Sequence, residues 1–418
     1  MIGLVNGEVW GPRGLERGDV WIEGDTVVGI GAAPGRVDAT RDVTGMIVGP
    51  GLVDLHTHLR DPGQTWKEDI ATGTKAAAAG GFTAVVAMPN TIPPTDTVDA
   101  VEDMRRRARD RGVVLIAPAA ALTSGREGKV AVDLEALHAS GVRIFTDDGD
   151  WVADEAVVYE LMSRAARLPG AVISQHAEDP VLSAGGHMHE GELSRRLGVA
   201  GIPADAEVDA VARDLELAAR TGAAYHIQHV SAARTLELVA DARDRGVDVT
   251  VEVTPHHLDF DVAHLEGLDP NLKMYPPLRD PADREALRRA LISGEIDVVA
   301  TDHAPHLPEE KGTDFARSVR GVIGLETAAP VVWGVSADPD LLFGALSVRP
   351  ARIAGLERHG RPVEPGSPAN LVVFRPDIVW RPESFRSRSV NSPYRGRELR
   401  GKVVLTMYEG RIVHEEAA

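Results

Sequence analysis

The sequence predicts an α/β chain, a TIM-like (β/α)8 barrel with a small β-sandwich domain formed by both chain ends. Three observations predict it. Short apolar segments rich in β-branched residues recur eight times through the middle of the 418 residues. Stretches rich in Ala, Leu, Glu and Arg, with helical spacing, alternate with them. The two ends of the chain carry instead short alternating runs broken by glycine. Eight alternations of strand and helix are the pattern of a parallel barrel wrapped by helices.

The elements follow in order. Residues 1–50 hold runs such as Asp19-Val20-Trp21-Ile22 and Thr26-Val27-Val28-Gly29-Ile30, read as strands of a small sheet. The first central strand is Gly51–His58. Next come Phe82–Asn90, Val113–Ala120, Val142–Gly149, Ala171–Glu178, Ala224–Ser231, Val247–His257 and Ile296–His306. Helical spacing is clearest over Val98–Arg111, Asp154–Arg167, Ala206–Thr221, Ala232–Arg245 and Pro281–Ile292. Residues 365–418 return to short strands, among them Ala369–Phe374, Lys402–Met407 and Gly410–Val413. The simplest division is therefore a discontinuous domain of residues 1–50 plus 365–418, and a barrel of residues 51–364.

Composition removes several kinds of function. There is no cysteine, which excludes disulfides, thiolate metal sites and thiol nucleophiles. A net charge of −18 argues against a sequence-independent grip on nucleic acid or an anionic membrane. No apolar run approaches the ~20 residues of a membrane span, and the N-terminus has no signal-like pattern. A soluble cytoplasmic protein acting on a small molecule is expected. Lysine is scarce, at positions 67, 75, 129, 273, 311 and 402 only, so none lies between Lys129 and Lys273.

The chemistry gathers at the predicted strand ends, which in a barrel face the active site. These ends hold His56 and His58, Asp147 and Asp148, His176, His229, and Asp302 with His303 and His306. Residues i and i+2 of a strand point the same way, so His56 and His58 can reach one ion together. Four histidines with acidic partners suit zinc or a similar divalent ion. A lone strand histidine is more often a hydrogen-bonded core residue; the coincidence of so many at strand ends favours the metal. His256, His257, His187 and His189 are left as structural or supporting residues, and Asp54 as a brace for a neighbouring ligand or the strand end. No glycine-rich nucleotide loop and no nucleophile elbow is present.

These residues carry a resemblance. Val53-Asp54-Leu55-His56-Thr57-His58-Leu59-Arg60-Asp61-Pro62-Gly63 resembles the signature of the cyclic amidohydrolases, the dihydroorotases in particular. The likeness continues through Met88-Pro89-Asn90-Thr91, Thr146-Asp147-Asp148-Gly149, Gln175-His176-Ala177-Glu178-Asp179, Ile227-Gln228-His229-Val230-Ser231 and Ala300-Thr301-Asp302-His303-Ala304-Pro305-His306. It covers nearly the whole chain and is nearest to the long-chain bacterial type.

The resemblance implies reversible interconversion of L-dihydroorotate and N-carbamoyl-L-aspartate in de novo pyrimidine biosynthesis. It implies two Zn2+ ions, with His56 and His58 on one, His176 and His229 on the other, and Asp148 bridging; occupancy by one ion stays open. Many relatives bridge with a carboxylated lysine at the end of strand 4, but Val142–Asp148 contains no lysine. Asp148 is the bridging aspartate by alignment, with Asp147 the second candidate. Asp302 would be a metal ligand and the catalytic proton shuttle. Arg60 could pair with the substrate carboxylate, or else with Asp61 or Glu68, and by resemblance Asn90 and His306 join that pocket.

Two positions depart from the family pattern. Tyr275, in the substrate pocket, stands where relatives usually have asparagine. Ser318-Val319-Arg320-Gly321 replaces an Ala-Pro-Phe-Gly-like loop. The alternatives are another cyclic amidohydrolase, acting on a hydantoin, dihydropyrimidine or allantoin ring, or a non-catalytic scaffold for aspartate transcarbamoylase. A homodimer and an aspartate transcarbamoylase association are the protein partners the resemblance suggests.

Overall fold

Two parallel sheets occupy the centre of the protein. The computed structural model describes residues 1–416, so the last two residues of the expected 365–418 segment lie outside the described residues. Leu52–Thr57, Phe82–Ala87 and Leu115–Pro118 pair in one parallel sheet. Ile144–Phe145, Val172–Gln175, Ala224–Ile227, Val249–Val253 and Val298–Val299 pair in that order in the other. Two isolated parallel bridges join them, Ala120 to Phe145 and Thr57 to His303. All six residues of Leu52–Thr57 and of Phe82–Ala87 are buried. Parallel strands covered on both faces read as continuous apolar runs for this reason.

The strands are shorter than the sequence suggests. The expected Val142–Gly149 is reduced to Ile144–Phe145, and Ile296–His306 to Val298–Val299. Beyond those points side chains take over backbone hydrogen bonding from the sheet ladder. Asp147 accepts the N–H groups of Leu122 and Thr123, and Asp54 accepts those of His56 and Thr301. His256 and His257, expected on the seventh strand, lie in the short helix Pro255–Asp259. Thr254 caps that helix on the His257 N–H and proline opens it, both strong helix-start signals.

The five expected helices are found at Val98–Arg111, Glu155–Ala165, Asp205–Thr221, Ala233–Asp244 and Pro281–Ser293. In the first, Thr97 caps the Ala100 N–H at 3.2 Å, while Val101 and Met104 face the core. Among the described residues, no helix is long and apolar enough to cross a membrane.

The chain ends build a separate eight-stranded sheet, from Ile2–Gly11, Gly14–Glu23, Thr26–Ile30, Ala39–Asp42, Ile47–Pro50, Leu371–Trp380, Leu399–Tyr408 and Arg411–Glu415. Its two halves meet where Val48 pairs antiparallel with Val373 and Pro50 with Leu371. Leu4, Val20, Val48, Val373 and Met407 form part of its own core. It is tied to the start of the first parallel strand by Gly51 N–H donating to Asn370 O at 2.8 Å, and to the helix Ile70–Ala79 by Thr406 Oγ1 donating to Ala78 O at 2.6 Å. Gly81 adopts φ +91° at this seam, where a Cβ would lie 2.8 Å from Val372 Cγ2. The tight approach and the left-handed backbone both call for glycine there.

Candidate metal centre

Residues far apart in sequence converge just beyond the C-terminal ends of the parallel strands. His56, His58 and Asp148 can each offer a ligand atom within 4.8 Å of the others, and so can Asp148, His176 and His229. Asp148 is thus shared by both groups. His56 Nε2 is 3.2 Å from Asp148 Oδ1, and His58 Nε2 is 3.4 Å from Oδ2. His176 Nδ1 and His229 Nε2 each lie 3.9 Å from Asp148 Oδ1. Asp302 Oδ1 joins the first group, 2.9 Å from His58 Nε2 and 3.6 Å from His56 Nε2. All six side chains are buried.

Backbone geometry beyond the strands aims several of these groups. His229 and Asp302 have positive φ, 31° and 45°, and Arg60 has 56°. Such conformations are uncommon for these residue types and gather at functional sites, where surrounding contacts hold them. The two aspartates on the fourth strand end separate by role. Asp148 turns into the cluster, with its N–H donating to Thr146 Oγ1 at 3.0 Å. Asp147 turns away to the Leu122–Thr123 backbone and the Thr123 hydroxyl. Arg126 steadies the turn by donating to Asp147 O at 2.9 Å and Asp150 Oδ2 at 2.8 Å.

The cluster fits a cation. His56 Nε2 and His176 Nε2 are buried and lack hydrogen-bond partners. His176 Nδ1 and His229 Nε2 face each other at 2.8 Å. Unpartnered imidazole nitrogens around buried carboxylates are costly without a cation to receive them. Nitrogen and oxygen donors of this kind suit zinc and similar divalent ions. Burial pushes the Asp148 carboxyl up, but His56, His58 and His176 outweigh it and hold it well below the usual range. Asp302 is likewise lowered, burial being overcome by His56 and His58. Burial and the neighbouring His229 push His176 down to about 3, so it is a neutral donor.

The expected substrate residues lie around this cluster. On the His58 side, Asn90 Oδ1 is 2.9 Å from His58 Nδ1, orienting that imidazole and leaving the amide nitrogen for other contacts. Arg60 Nη2 is 3.4 Å from His306 Nε2, and Arg60 Nε donates to Pro305 O at 3.3 Å. Burial and the charge of Arg60 push His306 down to about 2, so it is neutral beside the guanidinium. Asp61 is instead paired with Arg107 and Arg111. Tyr275 lies on the other side, its ring centroid 4.3 Å from that of His176.

The remaining histidines stand outside the cluster. His257 Nε2 donates to Pro276 O at 3.0 Å, while His187 and His189 lie beside Lys273 and Arg279. His303 meets Glu68 at 3.4 Å. Asp54 links the first strand to Thr301, next to Asp302.

Glu252 and His226 escaped the sequence reading. Glu252 Oε1 is 2.7 Å from His56 Nδ1, and its Oε2 is 3.1 Å from His226 Nε2. The available signal was a lone acid inside the apolar strand Val249-Thr250-Val251-Glu252-Val253, a placement that demands a buried partner.

Parallel strands ending in two histidine groups that share one carboxylate define a hydrolase of the cyclic amidohydrolase class. In structure the chain is similar to the L-hydantoinase (dihydropyrimidinase) from Arthrobacter aurescens, with a TM-score of 0.89 and 26% identity, over 100% of this chain and 96% of that one. A D-hydantoinase structure matches with a TM-score of 0.86 and 25% identity, over 99% of this chain and 95% of that one. A family profile described as Dihydro-orotase-like matches residues 45–235. Dihydroorotases of Mycobacterium leprae and Streptomyces coelicolor are each 44% identical to the chain, over 95% of both sequences. That of Geobacillus thermodenitrificans is 42% identical over 90% of this chain and 89% of its own. The chain belongs to the dihydroorotase family.

Proposed function

We infer that the chain is a dihydroorotase, opening L-dihydroorotate to N-carbamoyl-L-aspartate and closing it again in pyrimidine biosynthesis. The observation that carries this is Asp148 shared between two histidine pairs, with Asp302 on one side and Arg60 close by. In this reading His56, His58 and Asp302 would hold one divalent ion and His176 and His229 a second, with Asp148 available to both. Zinc ions bound there would lower the pKa of a water and polarise the scissile carbonyl.

The protein's own groups do the rest. Asp302, kept ionised, takes a proton from the attacking water and delivers it to the ring nitrogen as the carbon–nitrogen bond breaks. In ring closure the same proton returns. Arg60 donates to the exocyclic carboxylate, with neutral His306 and the Asn90 amide nitrogen completing that pocket. Burial of the cluster strengthens each of these interactions.

The same reading takes the eight parallel strands as a closed (β/α)8 barrel of residues 51–364, supported by the two bridges that join the sheets. Residues 1–50 and 365–418 then form the β-sandwich domain. The reading also places the enzyme in the cytoplasm. Pairing with a second copy, or with aspartate transcarbamoylase, is a proposal that sedimentation of the chain alone and mixed with that enzyme would test.

A second reading, an enzyme for a hydantoin, dihydropyrimidine or allantoin ring, draws on Tyr275 and Arg320. The deciding experiment is ring opening by metal-reconstituted protein on dihydroorotate, hydantoin, dihydrouracil and allantoin. Turnover of dihydroorotate is expected to dominate. Turnover of another ring, with none of dihydroorotate, would overturn the assignment.

A further inference from the structure

The two departures from the family pattern meet in space. Arg320 Cζ lies 4.1 Å from the centroid of the Tyr275 ring, within range of a cation–π contact. The same ring touches the His176 imidazole at 4.3 Å between centroids. The phenol therefore links a guanidinium to a residue of the candidate metal centre. Glu178, buried and with neither carboxylate oxygen hydrogen-bonded, is a neighbour of both Arg320 and Tyr275.

Arg320 is also held in place by the segment that carries it. Lys273 Nζ donates to the carbonyls of Phe315, Ala316 and Ser318 at 2.7, 3.0 and 2.8 Å. Lys311 Nζ donates to those of Val319 and Gly321, both at 3.0 Å. Both lysines are buried. Gly321 has φ +103°, and a Cβ there would lie 2.7 Å from Ala304 Cβ and 3.4 Å from His306 Nε2. The segment thus runs from the neighbour of Arg60 to the face of Tyr275. At its end Arg320 Nη2 donates to Gly186 O at 2.7 Å. Among the described residues its Nε and Nη1 make no side-chain hydrogen bond, so they remain as donors.

With Arg60 on the His58 side of the cluster and Tyr275 on the His176 side, a substrate with its carboxylate at Arg60 would reach across toward His176 and present its ureide oxygen, a neutral acceptor. A phenol cannot offer the amide donor that asparagine would supply at position 275. A guanidinium seated on that phenol can. We propose that Arg320 is a substrate-binding residue that donates to the ureide oxygen at the end opposite Arg60, and that Tyr275 is the platform positioning it. This rests on the dihydroorotase reading but uses a group common to the competing rings, so the two can fail separately.

The test is steady-state kinetics of Arg320→Ala, Arg320→Lys, Tyr275→Phe, Tyr275→Asn and the Arg320→Ala/Tyr275→Asn double variant, with bound metal and Tm measured alongside. Arg320→Ala is expected to raise KM for dihydroorotate at least tenfold with kcat within about threefold, the mark of binding lost equally in ground and transition states. Arg320→Lys should recover only part of this, because the planar stacking group is gone. Tyr275→Phe keeps the stack and should leave KM within about twofold, whereas Tyr275→Asn exchanges the platform for an amide donor and should raise KM less than Arg320→Ala does. The double variant should be no worse than Arg320→Ala, since the two act as a unit. If the wild type opens only another ureide ring, the dihydroorotase reading fails and the series is run on that ring. An unchanged KM in Arg320→Ala, or multiplying effects in the double variant, overturns the proposal on either substrate.

Discussion

Glu252 Oε1 lies 2.7 Å from His56 Nδ1, opposite the ring nitrogen that faces Asp148. The same oxygen accepts the His229 backbone N–H at 3.1 Å. One carboxylate therefore orients a candidate ligand from the first strand and the loop carrying a candidate ligand from the sixth. Burial pushes Glu252 up, but His56 and His226 outweigh it and bring it down to about 2. Supporting carboxylates of this kind commonly contribute about 10–100-fold to metal affinity. Glu252→Gln should weaken zinc binding by that range in a competition titration with a chelating dye. Unchanged affinity would remove Glu252 from the supporting role.

Asp302→Asn keeps the shape and removes the proton acceptor. Asparagine tolerates positive φ well, so the backbone at φ 45° is not an obstacle. A positioned acid–base group contributes about 10²–10⁴-fold. The variant should lose that much in kcat while near-UV circular dichroism and Tm stay close to wild type. An active variant would refute the proton-shuttle role.

Arg60→Lys tests the carboxylate pocket. Lysine keeps the charge but loses the two-pronged geometry, and hydrogen bonds to charged groups are worth about 1.5–3 kcal/mol. KM for dihydroorotate should rise roughly ten- to hundredfold, while the KM of any ring lacking a carboxylate stays put. Equal losses on both kinds of ring would show that Arg60 only supports the fold.

Lys311 gives stability a pH dependence. Burial, aided by the charge of Lys273, pushes its ammonium down to about 7, from an unfolded value of 10.5. Between these limits the unfolded chain binds more protons, so this contribution to stability grows as pH rises and is lost as pH falls toward 7. The slope for one proton is at most about 1.4 kcal/mol per pH unit. Urea titrations of wild type and Lys311→Met at pH 7 and 9.5 should show the wild type gaining on the variant at the higher pH. A difference independent of pH would contradict this.

Much of the site could be read from the sequence because its residue types are rare inside strands. His56-Thr57-His58 and the single histidines 176 and 229 end apolar runs, where only a partner justifies a buried imidazole. The helices were readable for a local reason, the repeating apolar face closed by caps such as Thr97. The strand ends were not, because side chains such as Asp54 and Asp147 supply the backbone partners that stop the ladder, and they come from distant parts of the chain.

The sequence by itself determined which chemistry was open to this protein. Lacking cysteine, and with no lysine between positions 129 and 273, it leaves any bridge between two ions at the fourth strand end to an aspartate. Likeness to the family favours Asp148 over Asp147, and the tertiary structure supplies the physical reason, turning Asp148 into the histidine cluster and Asp147 toward Leu122 and Thr123. Tertiary structure alone decided where the scarce lysines go: Lys67, Lys273 and Lys311 are buried, and all three bind the segment between Glu310 and Gly321. The reason is the same in each case. Residue type limits what a group can bond to, while parallel register and a few left-handed residues determine which partner comes within reach.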